Sequence, residues 1–150
     1  MKHIAWELEH SVEADVALLF AWNWRTDVTT WDDPPARFEL DGPFAAGSLG
    51  TTVLPGQEPL RWEIRDVRPG RSFIIEMPLD RAVLSCEWRF DAVSDRRTRI
   101  TQRIVLSGDN AAACASDVRA SFESTLADGM KRIADAMASA QRAPGVGGRQ

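Results

Sequence analysis

The chain contains no Tyr and only two Lys, two His and two Cys in 150 residues. Without a phenol no mechanism can use a tyrosine acid, base or nucleophile, and Lys2 and Lys131 leave little room for Schiff-base chemistry. Structural zinc wants about four Cys or His ligands at short spacings. Cys86 and Cys114 lie far apart and His3 and His10 sit near one end, so neither a metal nor a cofactor is expected. No stretch approaches the roughly 18 apolar residues of a membrane-spanning helix, and Met1 to His10 has no apolar run after its lysine. The expectation is a cytoplasmic protein with no membrane span. Two cysteines fit that compartment, because a disulfide framework uses more of them. The net charge of -4, with basic residues interspersed among acids, lacks the footprint of a nucleic-acid binder.

What the chain does have is tryptophan, six in all, within a composition that is 44% hydrophobic. Its length suggests one domain over residues 1–143, large enough to bury roughly two-thirds of the unfolded surface, followed by a Gly-rich tail at 144–150 expected to be disordered. Ile4 to Val12 alternates, with Ile4, Trp6, Leu8 and Val12 on one face and one polar misfit there, His10. Asp15 is placed to cap a helix running to about Trp24, a second short turn covers Asp27 to Trp31, and Pro34-Pro35 ends it. Six alternating runs follow: Arg37 to Leu40, Leu49 to Leu54, Leu60 to Val67, Ser72 to Met77, Val83 to Asp91 and Thr98 to Leu106. Turn chemistry separates them, as in Pro55-Gly56 and Pro69-Gly70. From about Ala115 the period becomes helical through Val118, Phe122, Leu126, Met130, Ile133 and Met137, with Ser116 or Asp117 as cap, which reads as one long amphipathic helix. These elements define an α+β chain.

Particular segments carry a resemblance. Val12-Glu13-Ala14-Asp15-Val16 with Leu19-Phe20 leads into the first helix, and Trp31 closes the helical pair. Gly47-Ser48-Leu49-Gly50-Thr51, Trp62-Glu63-Ile64, Val67-Arg68-Pro69-Gly70, Trp88-Arg89-Phe90 and Arg97-Thr98-Arg99-Ile100-Thr101 follow in order before the terminal helix. In that order the chain resembles the START-like superfamily of polyketide cyclases, lipid-transfer domains, plant ligand-binding proteins and Hsp90-activator homologues. The resemblance implies a helix-grip fold: a curved seven-stranded antiparallel sheet wrapped around a long C-terminal helix, with two short helices after the first strand. It carries no shared catalytic signature.

The resemblance also implies a cavity between sheet and helix that takes a small hydrophobic molecule, lipid or polyketide-like. Trp22, Trp31, Trp62, Trp88, Phe90, Phe122, Leu126 and Met130 are its expected apolar walls, since indoles supply large rigid surface with one N–H donor. Gln102, inward between Ile100 and Ile104, would orient the ligand with a donor and an acceptor. His10 is the one plausible general acid or base, so a cyclase, aromatase or dehydratase reading depends on it. A third reading is an interaction module resembling the Hsp90-activator homologues, and a homodimer is compatible with the sequence. Cys86 has no electropositive partner in sequence, and Glu76 is read as outward and solvated. Arg96, Arg97, Arg99 and Arg103 are read as one side of a cross-strand charge lattice.

Overall fold

Alternation of side chains sets the sheet in the computed structural model, which describes residues 4–31 and 33–142. The expected tail at 144–150, with His3 and Asp32, lies outside the described residues. Seven strands form: β1 (Ile4–Ala14), β2 (Arg37–Asp41), β3 (Leu49–Val53), β4 (Leu60–Arg68), β5 (Ser72–Leu79), β6 (Ala82–Ser94) and β7 (Arg97–Ser107). All neighbours run antiparallel in the order β1-β7-β6-β5-β4-β3-β2, so the chain's first strand closes one edge beside its last. On β6, Ala82, Leu84, Trp88 and Phe90 are buried, and on β7 Thr98, Ile100, Gln102, Ile104 and Leu106. Register shifts between Ile4 and Trp6, Ile64 and Asp66, and Ala92 and Ser94 add the local twist that lets such a sheet curve. This is the helix-grip architecture, with strand boundaries one to three residues longer than the sequence pattern gives at most ends.

Three helices pack on the sheet: α1 (Leu18–Arg25), α2 (Ala111–Phe122) and α3 (Leu126–Arg142), with a 3-10 turn at Val28–Thr30 after α1. Two expected caps fail. Ala17, not Asp15, occupies the cap position of α1, and Asp15 pairs instead with Arg97 at 3.2 Å. The C-terminal helical region begins at Ala111, ahead of Ser116 and Asp117, because Asn110 is held by the β5–β6 turn: its N–H donates to the Arg81 carbonyl and its amide to that of Asp80.

The single long helix is also divided. The Ser121 hydroxyl donates to the Asp117 carbonyl and the Thr125 hydroxyl to that of Ser121, while the Thr125 N–H bonds Phe122 three residues back. Ser and Thr bonding their own helix four residues back bend it. No helix among the described residues is long and apolar enough to cross a membrane.

Three of the four arginines expected in a lattice, Arg97, Arg99 and Arg103, find partners on β1, while the Arg96 N–H donates to the Ser94 hydroxyl in the β6–β7 turn. Arg97 Nε donates to Glu13 Oε1 at 2.6 Å, Arg99 lies 3.5 Å from the other Glu13 oxygen, and Arg103 Nη2 reaches Glu7 at 2.7 Å. Glu76 pairs with Arg65 on the outer face.

Candidate functional site

The inward face of the sheet has two regions. One is solid: Phe73 is fully buried and meets Trp22, Phe44, Trp88 and Phe90 with ring centroids 4.9–6.1 Å apart. The other is a cavity of about 770 Å³ between β2–β7, the segment after α1, and the α2–α3 junction.

Trp31, Trp62, Trp88, Gln102, Phe122, Leu126 and Met130 line it, so most of the expected wall comes together. Trp22 and Phe90 do not. Their rings meet edge to face at 5.4 Å within the solid cluster, which corrects their placement in the wall. Met137 is likewise fully buried core, one helical step beyond the lining residue Ile133. His10 points inward on β1 directly opposite Gln102, but it is not a lining residue. α2 and α3 pack over β1, so its inward side chains face helices rather than the cavity.

The wall is held by its own hydrogen bonds. The Trp62 indole donates to Thr52 at 3.0 Å and stacks on Trp31 at 5.6 Å, while Trp31 meets Phe38 edge-on at 5.4 Å. The Trp31 indole donates to the Arg25 carbonyl at 2.8 Å, and the Thr30 hydroxyl to that of Trp24 at 2.7 Å. The end of α1 and the 3-10 turn are thereby fixed to one another. Asp33, Pro34 and Arg132 line the cavity and are exposed, so they mark where it meets solvent.

One charged residue that the sequence reading passed over lies inside. Arg25, the last residue of α1, puts its guanidinium carbon 4.2 Å from the Trp88 ring centre and 4.6 Å from that of Trp31. Its Nε is buried and has no hydrogen-bond partner. Burial pulls its pKa down to about 9, against the opposing influence of Cys86, and the group remains cationic at neutral pH. The same burial pushes the Cys86 thiol up to about 11, outweighing the pull of the Gln102 amide and the Arg25 charge. Cys86 therefore does have an electropositive neighbour, which its sequence surroundings could not reveal. A sequence signal for Arg25 existed: it is the sole charge between Asp15 and Asp27, at the end of an apolar helix.

No family model and no curated protein matches the chain. Solved structures do. A norcoclaurine synthase from Thalictrum flavum, a point mutant bound to a transition-state analogue, superposes with TM-score 0.72 at 10% identity, covering 94% of this chain and 98% of its own. The Zhui aromatase/cyclase from Streptomyces sp. R1128 gives 0.71 at 18% identity over 95% and 99%. Protein Ms6760 from Mycobacterium smegmatis gives 0.62 at 16% identity over 95% and 93%. Near-complete coverage at such low identity establishes a shared helix-grip fold and leaves activity to be argued from the site.

Proposed function

We propose that the chain binds a small, largely apolar molecule, lipid or polyketide-like, in the cavity between the sheet and the C-terminal helices. The observation that carries this reading is the cavity itself: about 770 Å³, within the range of small-molecule sites, with walls mainly of indole and aliphatic surface and polar groups interspersed among them. Burying about 300 Å² of apolar ligand surface would contribute roughly 7 kcal/mol before the losses of association are subtracted. The structures of similar fold support an aromatic body in particular, since one norcoclaurine synthase was solved with dopamine and hydroxybenzaldehyde.

Titrating intrinsic tryptophan fluorescence with fatty acids, flavonoids and polycyclic aromatics tests the reading, because four indoles line the cavity. A saturable response to at least one class is expected, along with a co-purifying small molecule in native mass spectra. Silence in both experiments would remove the proposal in favour of an interaction module, which has no need of so large a cavity.

The aromatase/cyclase of similar fold favours one other reading, catalysis on the bound molecule; with His10 outside the lining, that reading requires the molecule to reach past Gln102 toward β1 for His10 to serve as acid or base. His10→Ala separates the two. Binding alone predicts unchanged ligand affinity and no turnover in either protein, whereas catalysis predicts turnover that the variant loses while affinity stays.

A further inference from the structure

Arg25 is unlike the other arginines that pair in this fold. Those stand on the outer surface beside Asp or Glu, whereas the half-buried Arg25 has its guanidinium carbon against two indole rings at the cavity wall, with no ion pair to any described residue. Its Nε is shut off from water without a partner, and ring contacts meet the charge of a guanidinium but not its N–H groups. What remains for a ligand is the planar N–H edge, the geometry that takes two oxygens of one group side by side. Cys86, also a lining residue, stands near it and is itself hydrogen-bonded by the Gln102 amide, a further lining group. Away from this corner, Phe38, Ile75, Met77, Leu126 and Met130 make the wall apolar.

Resting on the binding reading above, we propose that the cavity selects amphiphiles with a planar, singly charged oxyanion head, a carboxylate or a comparably delocalised enolate, seated on the edge of Arg25 with the apolar body against the opposite wall. One cation held against the rings matches one negative charge. The remaining lining cation, Arg132, is exposed and so offers no second enclosed charge for a doubly charged phosphate.

Calorimetric titration with matched pairs, 2-naphthoate against 2-naphthamide and decanoate against decanamide, tests this at pH 7. The wild type should bind each acid about tenfold or more tightly than its amide, the ratio expected for a charge-assisted pair in an enclosed site. Arg25→Met should abolish that preference by weakening the acids far more than the amides, and Arg25→Lys, which keeps the charge but not the fork, should retain part of it. Circular dichroism and a cooperative melt establish that each variant is folded, and the wild-type pairs decide the matter even if Arg25→Met is not. Equal affinity for acid and amide overturns the charge selection and leaves the cavity reading intact. Binding of none of the four probes overturns both.

Discussion

The guanidinium of Arg25 is held by aromatic faces alone, and magnitudes decide what that means for the free protein. Removing an ion from water costs several kcal/mol, and two cation–π contacts return about 4 kcal/mol between them, so the two nearly offset until an anion arrives. Arg25→Met is accordingly expected to leave the stability of the unliganded protein within about 1 kcal/mol of wild type in urea titrations, and a clear loss would make Arg25 a structural residue instead. Scanning pH is a poor substitute for the variant. Below pH 9 the buried charge weakens the fold, and that cost is relieved above about 9 as the folded state releases its proton before the unfolded one. The Cys86 thiol acts oppositely: its contribution, complete below pH 9, is lost between 9 and about 11, where the unfolded chain is already a thiolate. Over that window the two largely cancel. Cys86 chemistry is a cleaner readout, because at pH 8 only about one thiol in a thousand is ionised. Iodoacetamide should modify Cys86 far more slowly than free glutathione, with the rate climbing only toward pH 11, as peptide mapping of the labelled protein would record. Gly50 shows a different residue-scale constraint. It stands opposite Trp62 in the β3–β4 register, and a Cβ there would run into the indole ring. Gly50→Ala should cost about 1–3 kcal/mol and shift Trp62 emission, since the displaced ring is also cavity wall.

At the level of elements, the β1–β7 edge depends on charge arranged across strands. Hydrogen bonding to Arg97, with the nearby charges of Arg97 and Arg99, holds the Glu13 carboxyl below its usual value of 4.5. A lowered carboxylate pKa contributes stability that is complete above 4.5 and fades as pH falls through the folded value. The stability gap between wild type and Glu13→Gln should therefore be small at pH 7, narrow in 1 M salt and close in acid; a gap indifferent to both would locate the effect elsewhere. The strands themselves were legible because charge marks the outer face: Glu7, Arg99 and Arg103 against Trp6, Ile100 and Ile104 give period two, with Thr101 a buried exception on that outer face. The break between α2 and α3 was not, since Val118, Phe122, Leu126 and Met130 keep four-residue steps straight through it. Hydroxyl bonds from Ser121 and Thr125 decide the break, and apolar periodicity does not report them. Gly129, early in α3, marks the same stretch. A Cβ there would meet only the end of Arg132 at 3.7 Å, so Gly129→Ala should stabilise the helix by about 0.5 kcal/mol, as denaturant midpoints would show.

Across the whole molecule, the inward face is part core and part cavity, and alternation cannot tell them apart. Trp22, Phe90, Trp62 and Trp88 all read as inward, yet the first two fill the cluster around Phe73, Trp62 lines a space, and Trp88 does both. Which end stays empty depends on where α3 lies across the sheet, a long-range property that no single segment encodes. The division has a measurable consequence. Atoms facing a void lack partners on one side, so truncating them forfeits less packing than truncating a residue surrounded by neighbours. Phe73→Ala should cost about 3–5 kcal/mol and Phe122→Ala closer to 1 kcal/mol, while ligand binding should fall mainly in the second. At about a hundredfold excess over Kd, a ligand adds roughly 2.7 kcal/mol to the wild type, or about 5–10 °C in melting temperature for a chain of this size. Thermal melts with and without a bound naphthoate should then separate the two variants. Phe73→Ala melts early but keeps most of the ligand-induced shift, and Phe122→Ala melts near the wild type with the shift much reduced. If both variants lost stability and shift in the same proportion, wall and core would be one cooperative unit, and the cavity would not be a site distinct from the packing that surrounds it.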